Sequence, residues 1–285
     1  MRKFIISDRI ARKFRGLDNE PVQPAQQEER AAAPEGDSPA PEKRAFKVTS
    51  RTDIGLVRRM NQDAVILGET LMGVADGMGG HLGGETASMG TRDGLLRILK
   101  EKEPAEETLR DAISEVNLAL WNQQLEDESL SGMGTTLTVL WPGEKQMLIG
   151  HVGDSRAYLL RDGEMRQVTE DHSMVADMVR RGLLSEEQAA THPMRNYITR
   201  AVGTEPTIQA DVYSVPRRTG DRWLVCSDGL HGMVGKERLR ELMTMDDMEE
   251  AADQMIREAL DQGGRDNVSL VLAEDGTASA EEVAE

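Results

Sequence analysis

The 285 residues carry a formal net charge of −17, with 38% hydrophobic residues, 3% aromatics and one cysteine, Cys226. That length suits one large domain or two small ones, with a core that Leu, Ile, Val and the 16 Met must mostly fill because aromatics are scarce. The acidic balance argues against nucleic-acid binding, and a lone cysteine excludes an internal disulfide or a cysteine-built zinc site.

Residues 1–16 hold six Lys or Arg against one Asp. Phe4, Ile5, Ile10 and Phe14 are spaced to share one face of a short helix. Weak membrane-surface or partner docking stands open there, beside a frayed, solvated terminus. The run Phe4-Ile5-Ile6 is too short for the centre of a signal peptide. Residues 17–45 contain five of the ten prolines among Gln, Glu and Ala, a composition that predicts a disordered linker. Residues 46–273 are expected to form the domain, and 274–285 an acidic, flexible tail. No apolar run approaches the roughly 18 residues of a membrane span. With the single cysteine, this leads to an expected cytoplasmic location.

Within the domain, strand-like runs recur at 64–67, 71–75, 135–140, 147–152, 157–160, 208–213, 222–226 and 268–273, punctuated by Gly, Asp and Pro. Apolar and small residues at helical spacing predict helices over 86–99, 105–125 and 246–261. Ser185-Glu186-Glu187-Gln188 reads as a capping box opening another. Strands and one-sided helices without strict β-α-β alternation predict an α+β fold in layers.

Five segments place Asp at the end of an apolar run or beside glycine: Asn61-Gln62-Asp63, Asp76-Gly77-Met78-Gly79-Gly80, Gly153-Asp154-Ser155-Arg156, Ser227-Asp228-Gly229 and Asp266-Asn267. Carboxylates delivered together at strand ends repel one another unless a hard cation compensates them, and Mg²⁺ and Mn²⁺ prefer such oxygen ligands. A turn explains any single Asp-Gly equally well, and Asp162-Gly163 and Asp275-Gly276 are read as turns.

In order, Thr52-Asp53-Ile54-Gly55-Leu56-Val57-Arg58, Asn61-Gln62-Asp63, Val74-Ala75-Asp76-Gly77-Met78-Gly79-Gly80-His81, Gly84-Glu85, Gly134-Thr135-Thr136, Val152-Gly153-Asp154-Ser155-Arg156, Asp171-His172-Ser173, Ser227-Asp228-Gly229-Leu230 and Gly264-Arg265-Asp266-Asn267-Val268-Ser269 resemble the metal-dependent protein phosphatases of type 2C in their bacterial form. The resemblance spans about 48–272. It implies a central antiparallel β-sandwich flanked on both faces by helix pairs. It implies that Asp63, Asp76, Asp228, Asp266 and the Gly77 carbonyl hold two Mg²⁺ or Mn²⁺ ions around a nucleophilic water, with Asp76 bridging them. A third ion falls to Asp154 and Asp228, and Arg58 grips the substrate phosphate. The implied activity is hydrolysis of phosphoserine and phosphothreonine on proteins. A cognate serine/threonine kinase is the implied partner, and a monomer the default state.

Two positions depart from the pattern. Gln62 stands where many members carry Glu, which motivates a second reading as a binding module without turnover. Met78 stands where animal members carry a histidine proposed as general acid, and His81 nearby is read chiefly as a loop residue. A histidine-rich phosphoesterase is disfavoured because the five His show no paired ligand spacing. Cys226 lacks the arginine six positions on that a cysteine phosphatase needs and is read as a buried thiol. His151 is read as structural, and His172 and His192 as loop or cap residues.

Overall fold

The computed structural model describes residues 4–5, 46–79 and 83–276. His81 and most of the basic and proline-rich N-terminal segments lie outside the described residues. The elements in chain order are β1 (Phe4–Ile5), β2 (Phe46–Asp53), β3 (Asp63–Leu67), β4 (Met72–Met78), α1 (Gly83–Ile98), α2 (Glu106–Glu126), β5 (Gly134–Thr135), β6 (Leu137–Pro142), β7 (Gln146–Val152), β8 (Arg156–Arg161) and β9 (Glu164–Gln167). There follow α3 (Met174–Arg180), α4 (Glu186–Thr191), β10 (Tyr197–Ile198), β11 (Asp211–Pro216), β12 (Arg222–Cys226), α5 (Asp228–His231), α6 (Lys236–Met243), α7 (Met248–Asp261) and β13 (Val268–Asp275).

Two antiparallel sheets stack. One has the order β11-β7-β6-β4-β3 with β5 paired to β4; the other runs β2-β13-β12-β8-β9. Strand alternation assigns every second side chain to the space between them. Met72, Val74, Leu140, Met147, Ile149, Ala157, Leu159, Trp223, Val225 and Val271 fill that middle layer. The opposite faces do not meet water. Leu137, Val139 and Trp141 pack under α1 and α2 through residues such as Leu95, Leu109 and Ile113. Tyr158, Leu224, Leu270 and Leu272 pack under α6 and α7 through Leu239, Leu242 and Met255. The result is the expected α-β-β-α sandwich. Burial on both faces explains why the central strands read as continuous apolar runs.

The main expected elements form, with shifted ends. β11 starts three residues later than 208, and the Ser185 capping box closes reciprocally with Gln188. Asp162-Gly163 is a hairpin turn with positive φ at both residues, 54° and 80°. Asp275-Gly276 is not. Asp275 ends β13, pairs with Phe46 and is completely buried, so the ordered sheet extends past the expected boundary at 273. Phe4–Ile5 form a two-residue strand parallel to Tyr197–Ile198, neither the helix face nor the frayed terminus left open above. Among the described residues no helix is long and apolar enough to cross a membrane.

Candidate metal centre

The aspartates sit where strands of both sheets end. Asp63 opens β3 and stands directly across from Asp76 of β4. Both are nearly buried, at 6% and 7% exposure. Thr136 anchors the Asp76 backbone at both ends. Its hydroxyl accepts from the Asp76 N–H at 2.9 Å, and its own N–H donates to the Asp76 carbonyl at 2.9 Å. The next residue must be glycine, because a Cβ there would meet the Gly84 carbonyl oxygen at 2.0 Å and that of Gln62 at 2.6 Å. The Gln62 side chain is folded against Gly84 at the start of α1, where a Cβ on Gly84 would stand 2.6 Å from its Nε2.

The other sheet supplies Asp228 and Asp266. β12 and β13 run antiparallel, and the Ser227 and Ser269 backbones continue their ladder (3.0 Å). The Ser227 hydroxyl receives the Ser269 N–H (3.0 Å) and donates to Asp63 Oδ2 (2.8 Å), joining the two sheets at the site. A polar web continues from there. The Ser269 hydroxyl meets that of Thr52 (2.8 Å), Asn61 Nδ2 donates to Thr52 (2.8 Å), and the Asp63 N–H donates to Asn61 Oδ1 (3.1 Å). Asp228 begins α5.

Asn267 holds the loop that carries Arg58. Its Oδ1 accepts from the Gln62 N–H, and its Nδ2 donates to the carbonyls of Ile54 and Met60, all at 2.9 Å. Arg58 Nη2 consequently lies 2.6 Å from Asp266 Oδ2, while Asp266 Oδ1 caps the Asn267 N–H at 2.8 Å. Gly229 fits against this turn with no room to spare, since a Cβ would fall 1.9 Å from the Asn267 carbonyl oxygen. We expect Gly229→Ala to destabilise by about 1–3 kcal/mol through overpacking, lowering Tm by roughly 2–12 °C in a circular-dichroism melt. If Asp228 holds an ion, the same substitution, by displacing the start of α5 from the Asn267 turn, should also weaken Mn²⁺ binding in calorimetry.

Asp154 follows β7 and is 5% exposed. Its carbonyl accepts from Nε2 of His231, the last residue of the turn that Asp228 begins (3.0 Å). Burial holds His231 neutral, with its pKa lowered to about 4.

The donor set is entirely hard oxygen, the chemistry that suits Mg²⁺ or Mn²⁺. The backbone brings Asp63, Asp76 and the Ser227-Asp228 segment to one end of the sandwich and sets Asp266 beside Arg58. Among the described residues, no three Asp, Glu, His or Cys side chains already surround a single ion-sized point. Cys226 is fully buried and its pKa is pushed up to about 12 by desolvation, which removes it as a nucleophile. Ser227, Ser269, Thr52 and Asn61 were missed as site residues by sequence reasoning. Their only signal was a place within the motifs that carry the resemblance.

This architecture and strand-end acid set define a recognised class. The chain matches the family described as protein phosphatase 2C over residues 58–278 and belongs to that family. It is 40% identical over 233 residues to the serine/threonine protein phosphatase PstP of Mycobacterium tuberculosis, covering 80% of this chain but 45% of that protein. The serine/threonine phosphatase Stp of Listeria monocytogenes is 39% identical over 240 residues, covering 79% and 94%. A crystal structure of the mycobacterial PstP superposes with a TM-score of 0.78 at 38% identity, over 81% of this chain and 99% of that one. The PstP catalytic domain with two manganese ions gives 0.75 at 37% identity, over 81% and 98%.

Proposed function

We propose that this chain removes phosphate from phosphoserine and phosphothreonine of proteins with the help of divalent cations. The observation that carries the reading is the cross-strand pair Asp63–Asp76, joined through Ser227 to the segment of Asp228, with the Arg58–Asp266 pair beside it. The manganese-bound relative supports a two-ion centre, and Asp63, Asp76, the Gly77 carbonyl, Asp228 and Asp266 are the ligands proposed for it. Asp154 and Asp228 are proposed for a third ion. When bound, such ions supply an activated water at neutral pH and offset phosphoryl charge.

The residues do the positioning. Asp266 fixes one nitrogen of the Arg58 guanidinium, so the planar fork is pre-oriented before a phosphate arrives. A phosphatase of the same family from Mycobacterium smegmatis was crystallised with cacodylate, a tetrahedral oxyanion, at 35% identity and a TM-score of 0.74. That is consistent with an anion site in this fold. Phosphorylated proteins are the proposed substrates, a cognate serine/threonine kinase the proposed counterpart, and the cytoplasm the proposed compartment.

The test is release of phosphate from a phosphothreonine peptide across a Mn²⁺ and Mg²⁺ titration. No release at any metal concentration would refute the proposal and leave a binding module. Arg58→Ala is expected to lower kcat/KM for the peptide by roughly 10²-fold, corresponding to about 2.7 kcal/mol. Arg58→Lys should recover only part of it, because an ammonium cannot bind two oxygens in one plane.

A further inference from the structure

Two histidines outside the carboxylate set converge on the loop that carries Asp154. Gly153 has φ +105° and is pressed against Thr136, where a Cβ would fall 2.6 Å from Cγ2. Both its backbone groups go to His172. The His172 N–H donates to the Gly153 carbonyl at 2.7 Å, and the Gly153 N–H donates to His172 Nδ1 at 3.1 Å. With Nδ1 accepting, the proton of the neutral ring sits on Nε2, which faces Asp211 Oδ2 at 3.1 Å. Asp211 in turn accepts from Arg200 Nη1 at 2.9 Å and from the Tyr213 hydroxyl at 3.2 Å.

The same histidine ties down the 170–203 segment. Its carbonyl accepts the Thr199 N–H at 2.8 Å, and Ser173 bridges to Ile198. Ile198 packs with Ala201 on Met78, the neighbour of Gly77, and Val202 exchanges backbone bonds with Thr135, the cross-strand partner of Gly77. His231 grips the carbonyl of Asp154 from the side of Asp228.

From this geometry we infer that His172, oriented by Asp211 and Arg200, is a positioning residue that locks Gly153-Asp154 to the 170–203 segment and through it to the Gly77 turn. The inference rests on the proposed function only for what Asp154 holds. A buried histidine that merely satisfies its neighbours is the competing explanation, and it predicts a loss of stability without a selective effect on one ion.

The experiment is Mn²⁺ titration calorimetry on the full chain, with phosphothreonine-peptide turnover measured beside it. In His172→Ala the weakest Mn²⁺ event should lose about tenfold or more in affinity, as for other residues that orient ligands, while the tighter events keep theirs. Turnover should fall in kcat rather than rise in KM. His172→Asn, whose Oδ1 can still accept from Gly153, should restore the weak event. His172→Gln, which reaches toward Asp211 instead, should not. The inference is overturned if every event weakens together in His172→Ala, if Asn behaves as Ala does, or if wild type shows no weaker event. A wild type that binds Mn²⁺ but releases no phosphate would refute the proposed function, while the calorimetry still decides the role of His172.

Discussion

Asp76→Asn is expected to lower Mn²⁺-dependent kcat on a phosphothreonine peptide by at least about 10³-fold, some 4 kcal/mol of transition-state stabilisation. The position is central: Asp76 faces Asp63 across β3 and β4, both are nearly buried, and Thr136, between β5 and β6, fixes its backbone. An amide keeps the volume and removes one of the two facing charges. The stability effect therefore has opposite signs with and without cation. In chelator, relief of like-charge repulsion should leave Asp76→Asn as stable as wild type or more so. In Mn²⁺ at 100 times its Kd, wild type should gain about 2.7 kcal/mol by linkage and the variant much less. Paired thermal melts in chelator and in Mn²⁺ read both signs at once. Equal Mn²⁺ stabilisation of the two proteins, with turnover intact, would mean that the centre lies elsewhere.

Asp63, Asp76, Asp228 and Asp266 stood out as Asp beside glycine or near strand-like runs, a pattern that turns share. The resemblance to the type 2C phosphatases, rather than that pattern, singled them out as one ion-holding set. The web that holds them was not visible. Ser227, Ser269, Thr52 and Asn61 are common residue types, and their roles come from strand register between segments up to 217 residues apart. His172 stood out in a recognisable motif but read as a loop residue, since its partners Gly153 and Asp211 come from distant segments. Elements went unread for a related reason. β2 and β9 are half-exposed edge strands with charged side chains, and α6 is only eight residues long. Pattern is strong where both faces are buried and weak where one meets water. Phe4 and Ile5, left open between a helix face and a frayed terminus, pair as a strand with β10, a long-range contact that local spacing does not encode.

The C-terminal boundary is where composition misled most, and it carries the second large expected effect. Acidic and small residues after 273 resemble a tail, but Asp275 is the closing pin of the second sheet. Its carboxylate takes Nε and Nη2 of Arg217 at 2.8 and 3.0 Å, with the two side chains 0% and 5% exposed. Its N–H donates to the Asp221 carbonyl at 2.9 Å, and its own carbonyl accepts from Gly220 at 2.7 Å. The Arg217 guanidinium also lies over the Phe46 ring, 4.6 Å from its centroid, so the first strand of the domain is fastened to the last. Removing one member of a buried pair strands the other charge, and Asp275→Ala is expected to cost about 3–5 kcal/mol. For a domain of this size that lowers Tm by roughly 6–20 °C. The double variant Asp275→Leu with Arg217→Met should recover much of the loss, because a hydrophobic replacement leaves no unpaired charge. Ending the chain at 273 should match or exceed the single substitution. Catalysis gives an independent check. β13 also delivers Asn267 and the Asp266 turn at its other end, so a pin that acts only on stability should leave kcat/KM intact at temperatures well below the lowered Tm.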